Sequence, residues 1–169
     1  MELDLENGIL ALVFYIFSGI IVGSGIMVVT LKNIFHSALF LVLCLFSVAG
    51  IYILLSAEFV AAVQVLIYVG AITVLMIFAI MLTAQLYSTS VRQSNEQVIP
   101  GIIIVVTLLV VTLVALSRTS WRVVSQGIEG QTTISIGKAL LTTYVLPFEV
   151  VSLVLIAALI GAIIIARKE

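Results

Sequence analysis

Few side chains in this sequence could do chemistry, and most of them sit inside long apolar runs. Gln64 and Tyr68 are four residues apart, the spacing that puts two side chains on one face of a helix. Glu58 precedes them and Gly70 follows, with Thr73 and Thr83 further along the same run. A second group, Glu149 and Ser152, lies three apart just after Pro147. Polar groups within a membrane span are costly and rarely idle, so each needs an account. Glu58 reads as a loop acid at the membrane interface in preference to a functional group. Glu149 reads either as a carboxylate favoured by the dipole of a helix's first turn or as a functional group. Gln64 and Tyr68 read as a buried polar seam. Gly70 gains nothing locally in a helix interior, which points to close packing or to a backbone irregularity. A π-bulge is one such irregularity and is frequent at functional sites.

None of this amounts to catalytic equipment. The sequence has one histidine, His36, and one cysteine, Cys44, so no Cys/His cluster exists for zinc, haem or an iron–sulfur centre. No glycine-rich phosphate loop follows a strand pattern. Cys44 reads as a small apolar residue, and His36 as an interfacial hydrogen-bonding group. No catalytic, cofactor-binding or metal-binding residue is assigned.

The elements that must hold these residues are membrane spans. The sequence is 63% hydrophobic and 9% charged, with seven basic and eight acidic residues among 169, where a soluble domain carries about a quarter charged residues. The mean hydropathy is +1.41. A transmembrane helix needs about 20 mostly apolar residues, and five runs meet that length: 8–31, 37–55, 59–86, 98–116 and 147–166. The expected fold is an all-α integral membrane protein, one domain of five transmembrane helices, the third open to a π-bulge. Helix is also expected for the Val/Ile-rich fourth run, since an open strand leaves backbone groups unpaired in lipid. Tyr87 to Gln97 forms a polar connection, and Arg118 to Thr143 a long one with turns at Gln126-Gly127 and Glu129-Gly130. That loop ends in an amphipathic stretch from Ile134 to Leu141. Gly19 with Gly23, Ala157 with Gly161 and Ala158 with Ala162 are small-residue pairs that let helices approach. The acidic N-terminus is unlike a secretory leader, so the first run is expected to be retained.

Lys32, Arg92, Arg167 and Lys168 fall on one side of a five-span chain, and Arg118, Arg122 and Lys138 on the other. Long loops weigh less in the positive-inside rule, so the expected orientation is N-terminus out, C-terminus in. The net charge of −1 argues against nucleic acid or anionic lipid held by bulk electrostatics.

Two stretches carry a family resemblance. Phe59 to Ile72, followed by Val74-Leu75 and Phe78-Ala79, closely resembles the third transmembrane helix of the J subunit of proton-pumping NADH:quinone oxidoreductase. This is the chain-6 subunit of respiratory complex I and of its plastid and cyanobacterial relatives. Independently, Ile136 to Leu141, then Tyr144 to Glu149 with Ser152 and Ile160-Gly161-Ala162, resembles that family's last span and the loop entering it. The turn at Lys32-Asn33 with Ser37-Ala38 fits as well, except that the family often has proline where Ile34 stands. Some members carry Glu where this chain has Gln64, so no titratable role transfers there.

The resemblance implies a membrane-arm subunit that couples quinone reduction to proton translocation and holds no redox centre. NADH or another donor, FMN, iron–sulfur clusters and quinone then belong to the rest of the complex. Its partners would be the A-, H- and K-type subunits and the antiporter-like L, M and N types. The membrane would be a bacterial or archaeal plasma membrane, or an organellar or thylakoid one. In the family the third helix is thought to switch between bulged and regular forms. That would make Tyr68 the hydrogen-bonding pivot, Gly70 the relief of the bulge's steric demand, and Val69 to Leu75 a dry plug. Two other classes fit parts of the pattern: a subunit of a cation/proton antiporter or membrane-bound hydrogenase complex, and a stand-alone small transporter. Pro147-Phe148-Glu149 favours the quinone-linked family over the first. The scarcity of intramembrane charge argues against the second.

Overall fold

The computed structural model describes residues 2–83, 98–120 and 132–167. The polar connection at 87–97, the turns at 126–130 and the end of the third run at 84–86 lie outside the described residues. The chain divides into two compact units, residues 1–81 with 128–169 and residues 82–127. Every described element is helical, and five helices are long and apolar enough to cross a membrane: Gly8–Thr30, Ile34–Leu54, Glu58–Thr83, Ile99–Arg118 and Val145–Ala166.

In the first unit, α1 (Glu2–Thr30) and α2 (Ile34–Leu54) pack along their lengths. The tight turn between them explains their pairing. Asn33 caps α2 with its Oδ1, which accepts from the amides of Phe35 at 3.0 Å and His36 at 3.4 Å. Such caps satisfy amides that have no partner within the helix. The second helix therefore begins at Ile34 rather than Ser37. Ile34 is then the first helical residue, where proline costs nothing, so its departure from the family's usual residue is locally neutral.

The turn from α2 into the third span is closed by its backbone. Ala57 N donates to Tyr52 O at 2.9 Å and Ser56 N to Ile53 O at 3.0 Å. This paired pattern needs a left-handed residue between helix and turn, usually glycine; here Ser56 takes it, at φ 57°. The third span is continuous but not uniform. It runs as α3 (Glu58–Val63), a π segment (Gln64–Ile72) and α4 (Thr73–Thr83). Both α3 and the π segment lie against α2.

The amphipathic stretch forms α6 (Thr132–Leu141), too short to cross a bilayer. It packs against α3, at the starting end of the third span, and against α7 (Val145–Ala166). Pro147 is the third residue of α7, not its opener, and still within the turn whose amides lack helical acceptors. The second unit contains α5 (Val98–Arg118). Its polar groups are satisfied within the helix, with Thr107 donating to Ile103 O and Thr112 to Leu108 O, each at 2.8 Å.

Close helix approach occurs at a position the small-residue pairs did not indicate. A Cβ added at Gly19, Gly23 or Gly161 would meet nothing within 4 Å, whereas one at Gly50 would stand 2.5 Å from the Phe17 ring. Elsewhere along the first two helices Ser24 on α1 and Ala38, Ser47 and Ala49 on α2 are buried. Gly50→Ala is expected to cost about 1–3 kcal/mol by overpacking, and Phe17→Leu in the same chain to recover part of it. A melting temperature for Gly50→Ala equal to the parent's would remove this contact from the determinants of the α1–α2 pair.

Candidate functional site

The π segment is where the sequence-level candidates gather. Gln64 opens it, Tyr68, Val69 and Gly70 fall in its middle, and Thr73 follows its last residue. Nine residues is long for a feature that usually occupies a single turn. At its end the Thr73 amide donates to the carbonyl of Tyr68, five residues back, instead of to that of Val69. That shift of one acceptor defines the π ladder.

Gln64 is 8% exposed, and its Nε2 donates to the backbone carbonyl of Leu45 on α2 at 3.3 Å. This ties the start of the π segment to the neighbouring helix. Tyr68 does not join it. At 47% exposed, its ring lies on the open side of the span, and its hydroxyl has no partner among the described residues. The expected single seam of Gln64 and Tyr68 is therefore split. The residue buried in company with Gln64 is Thr73, 1% exposed. An α-helix turns about 100° per residue, so residues nine apart would lie on opposite sides. The wider π turn rotates less per residue and allows both polar side chains to be buried while aliphatic neighbours face outward. Thr73 was legible in sequence only as one more hydroxyl, because a nine-residue interval belongs to no regular helix face.

Gly70 lies on the exposed side, and a Cβ there would stand 3.3 Å from the carbonyl oxygen of Val65. That carbonyl is five residues back, the acceptor position that the π ladder brings under residue 70. Glycine thus suits the bulge for a local steric reason. Val69 is half-buried, while Ile72, Val74 and Leu75 are exposed.

The remaining candidates are dispersed. Glu58 is exposed and is the first residue of α3, so it belongs to a helix's first turn rather than to a loop. Glu149 is exposed and is the fifth residue of α7, beyond the first turn, so the dipole offers it less than its sequence position suggested. Ser152, also exposed, donates back to Phe148 O at 3.2 Å. Cys44 is half-buried, with its thiol directed at Ile21 O across the α1–α2 contact at 3.7 Å. Among the described residues no three His, Cys, Asp or Glu side chains come together as a metal would require.

Residues 24–165 match the family described as NADH-ubiquinone/plastoquinone oxidoreductase chain 6. The chain belongs to that family. It is 40% identical to NAD(P)H-quinone oxidoreductase subunit 6 of the Paulinella chromatophora chromatophore, over 99% of this chain and 82% of that protein. It is 38% identical to NAD(P)H-quinone oxidoreductase chain 6 of Synechocystis sp., over 99% of this chain and 85% of that one. F(420)H(2) dehydrogenase subunit J of Methanosarcina mazei is 40% identical over 96% of this chain and 89% of its own length. Chain-6 proteins are subunits of a multisubunit membrane oxidoreductase, so this chain is not an enzyme alone. Its fellow subunits are its partners.

The Gln64 bond separates volume from hydrogen bonding. Leu45 lies mid-helix, so its carbonyl keeps a helical amide partner when Gln64 is replaced. Gln64→Leu is expected to change stability by less than about 1 kcal/mol, while Gln64→Ala, which leaves a void, costs about 2 kcal/mol. Thermal denaturation of the purified complex checks the order; equal losses in both variants would mean that the amide, not the volume, is what matters.

Proposed function

We propose that this chain couples quinone reduction, carried out elsewhere in its complex, to proton translocation through a change of ladder in its third span. The observation that supports this is the π segment Gln64–Ile72 set between two α-helical stretches of one membrane span. An i→i−5 ladder can convert to i→i−4 while nearly every amide and carbonyl trades one backbone partner for another. No group need be left bare for long in a medium without water. Such an exchange is a two-state element, and it rotates everything C-terminal to it.

In this reading Gln64 anchors the fixed end, Tyr68 is the polar group that changes surroundings, and Gly70 tolerates the crowded ladder. The aliphatic side chains between Val69 and Leu75, of which Ile72, Val74 and Leu75 face outward, open or close a dry barrier between neighbouring subunits. Glu58, Glu149 and Ser152 lie at contacts with those subunits, of the A, H and K types and the antiporter-like L, M and N types. The chain acts as one membrane domain, oriented N-terminus out and C-terminus in. It holds no redox centre. FMN, iron–sulfur clusters and quinone sit in other subunits, which also select the electron donor. That division fits a family whose members' names carry both NAD(P)H and F(420)H(2).

Gly70→Val places branched carbons against the Val65 carbonyl and so disfavours the π form. The assembled complex is expected to keep its quinone reductase activity when uncoupled, while protons pumped per electron pair fall by about half or more. Gly70→Ala, which asks the ladder to give by a few tenths of an ångström, should lose less. Proton uptake by proteoliposomes, with subunit content checked by mass spectrometry, makes the measurement. Full pumping by Gly70→Val at normal assembly would sink the hinge.

A further inference from the structure

The π ladder creates a local debt at Val69. In an α-helix its carbonyl would accept from the amide of Thr73, but here that amide has moved to Tyr68. The group that meets the Val69 carbonyl instead is the Thr73 hydroxyl. One residue therefore supplies two donors to two successive carbonyls, its amide to Tyr68 and its side chain to Val69. Thr73 is also among the most buried residues of the chain, at 1% exposed, so no solvent stands in for the hydroxyl.

We infer that Thr73 is a positioning residue that holds the third span in its π form, by donating its hydroxyl to the carbonyl its own amide has left. The same hydroxyl has little to do in the α form, where the Val69 carbonyl regains the Thr73 amide and a back-bonded side chain adds only a shared contact. Its contribution is thus lopsided between the two ladders. Losing a hydrogen bond is cheap where the acceptor keeps another partner, and expensive where a group is left unsatisfied away from water. Serine and threonine hydroxyls elsewhere in the spans also turn back on their own helices: Ser24 on Ile20, Ser47 on Leu43, Thr107 on Ile103. Those three lie within regular α-helix, where the acceptor already has its amide. Thr73 alone among them stands at the change of ladder.

The consequence for coupling rests on the proposed role of the third span, but the consequence for the ladder does not, and one experiment reads both. The assembled complex carrying Thr73→Val, which keeps the branched shape without the hydroxyl, is compared with Thr73→Ser, which keeps the hydroxyl. Single-particle electron microscopy counts π and α forms of the third span, and proteoliposomes report protons pumped per electron pair. Thr73→Val is expected to lower the ratio of π to α form about tenfold, with Thr73→Ser close to the parent. An unchanged ratio in Thr73→Val overturns the inference, as does a Thr73→Ser complex that behaves like Thr73→Val. A shifted ratio with undiminished pumping upholds the role of Thr73 and refutes the coupling role of the span. Should Thr73→Val fail to assemble, Thr73→Cys, a weak donor of similar size, is read by the same criteria.

Discussion

Inside a bilayer a backbone amide or carbonyl without a partner has no water to turn to, and each bare group costs several kcal/mol. That constraint decides most of what this chain does locally. It accounts for the Asn33 cap, which takes two amides at the start of α2. It accounts for the left-handed Ser56, whose strain is accepted because the turn then satisfies the carbonyls of Tyr52 and Ile53. It also explains why serine and threonine occur in spans at all: their hydroxyls fold back onto carbonyls of the same helix. The π segment obeys the same accounting with a different ladder. At its ends one acceptor is traded for the next, and the two buried polar side chains of the third span, Gln64 and Thr73, stand there.

The division of labour among the helices follows from packing. α1 and α2 form a close pair keyed by Phe17 over Gly50, and α2 offers its Leu45 carbonyl to Gln64. The third span is therefore tethered at its start, where α6 also lies against α3. Beyond Thr73 the span leaves that support, and its large side chains, Leu75, Phe78 and Leu82, are exposed. A helix tethered at its start can turn about a point further along. Tyr68 and Gly70 occupy the stretch that follows the tether.

Much of this was legible in the sequence, and the exceptions have physical causes. Unbroken apolar runs disclosed five helices because hydrocarbon thickness sets a minimum length. Gly70 betrayed an irregularity because glycine has no local advantage within a helix. The extent of the bulge and the burial of Thr73 stayed hidden, because reading faces from spacing assumes 3.6 residues per turn, and that assumption fails where the ladder changes. Gln64 and Tyr68 part although four residues is close to one turn of either ladder, because only Gln64 reaches across to α2. Helix starts were misplaced by a few residues where a cap, Asn33, or a tolerated proline, Pro147, extended the helix beyond the first uniformly apolar residue. The close contact at Gly50 was hidden from the small-residue pairs, since Gly50 meets an aromatic ring rather than another small residue.

The contact of α6 with α3 also bears on the order in which the molecule can be made. During synthesis the first three spans are all translated before Thr132. The α1–α2 pair and the Gln64 tether can form at once from neighbouring sequence. The contact at the head of the third span cannot, because it waits for α6 to be translated. The nascent protein thus passes through a period in which its third helix is fixed sideways by α2 but uncovered at its entry. Arrival of the C-terminal segment, not insertion of the span itself, completes that end.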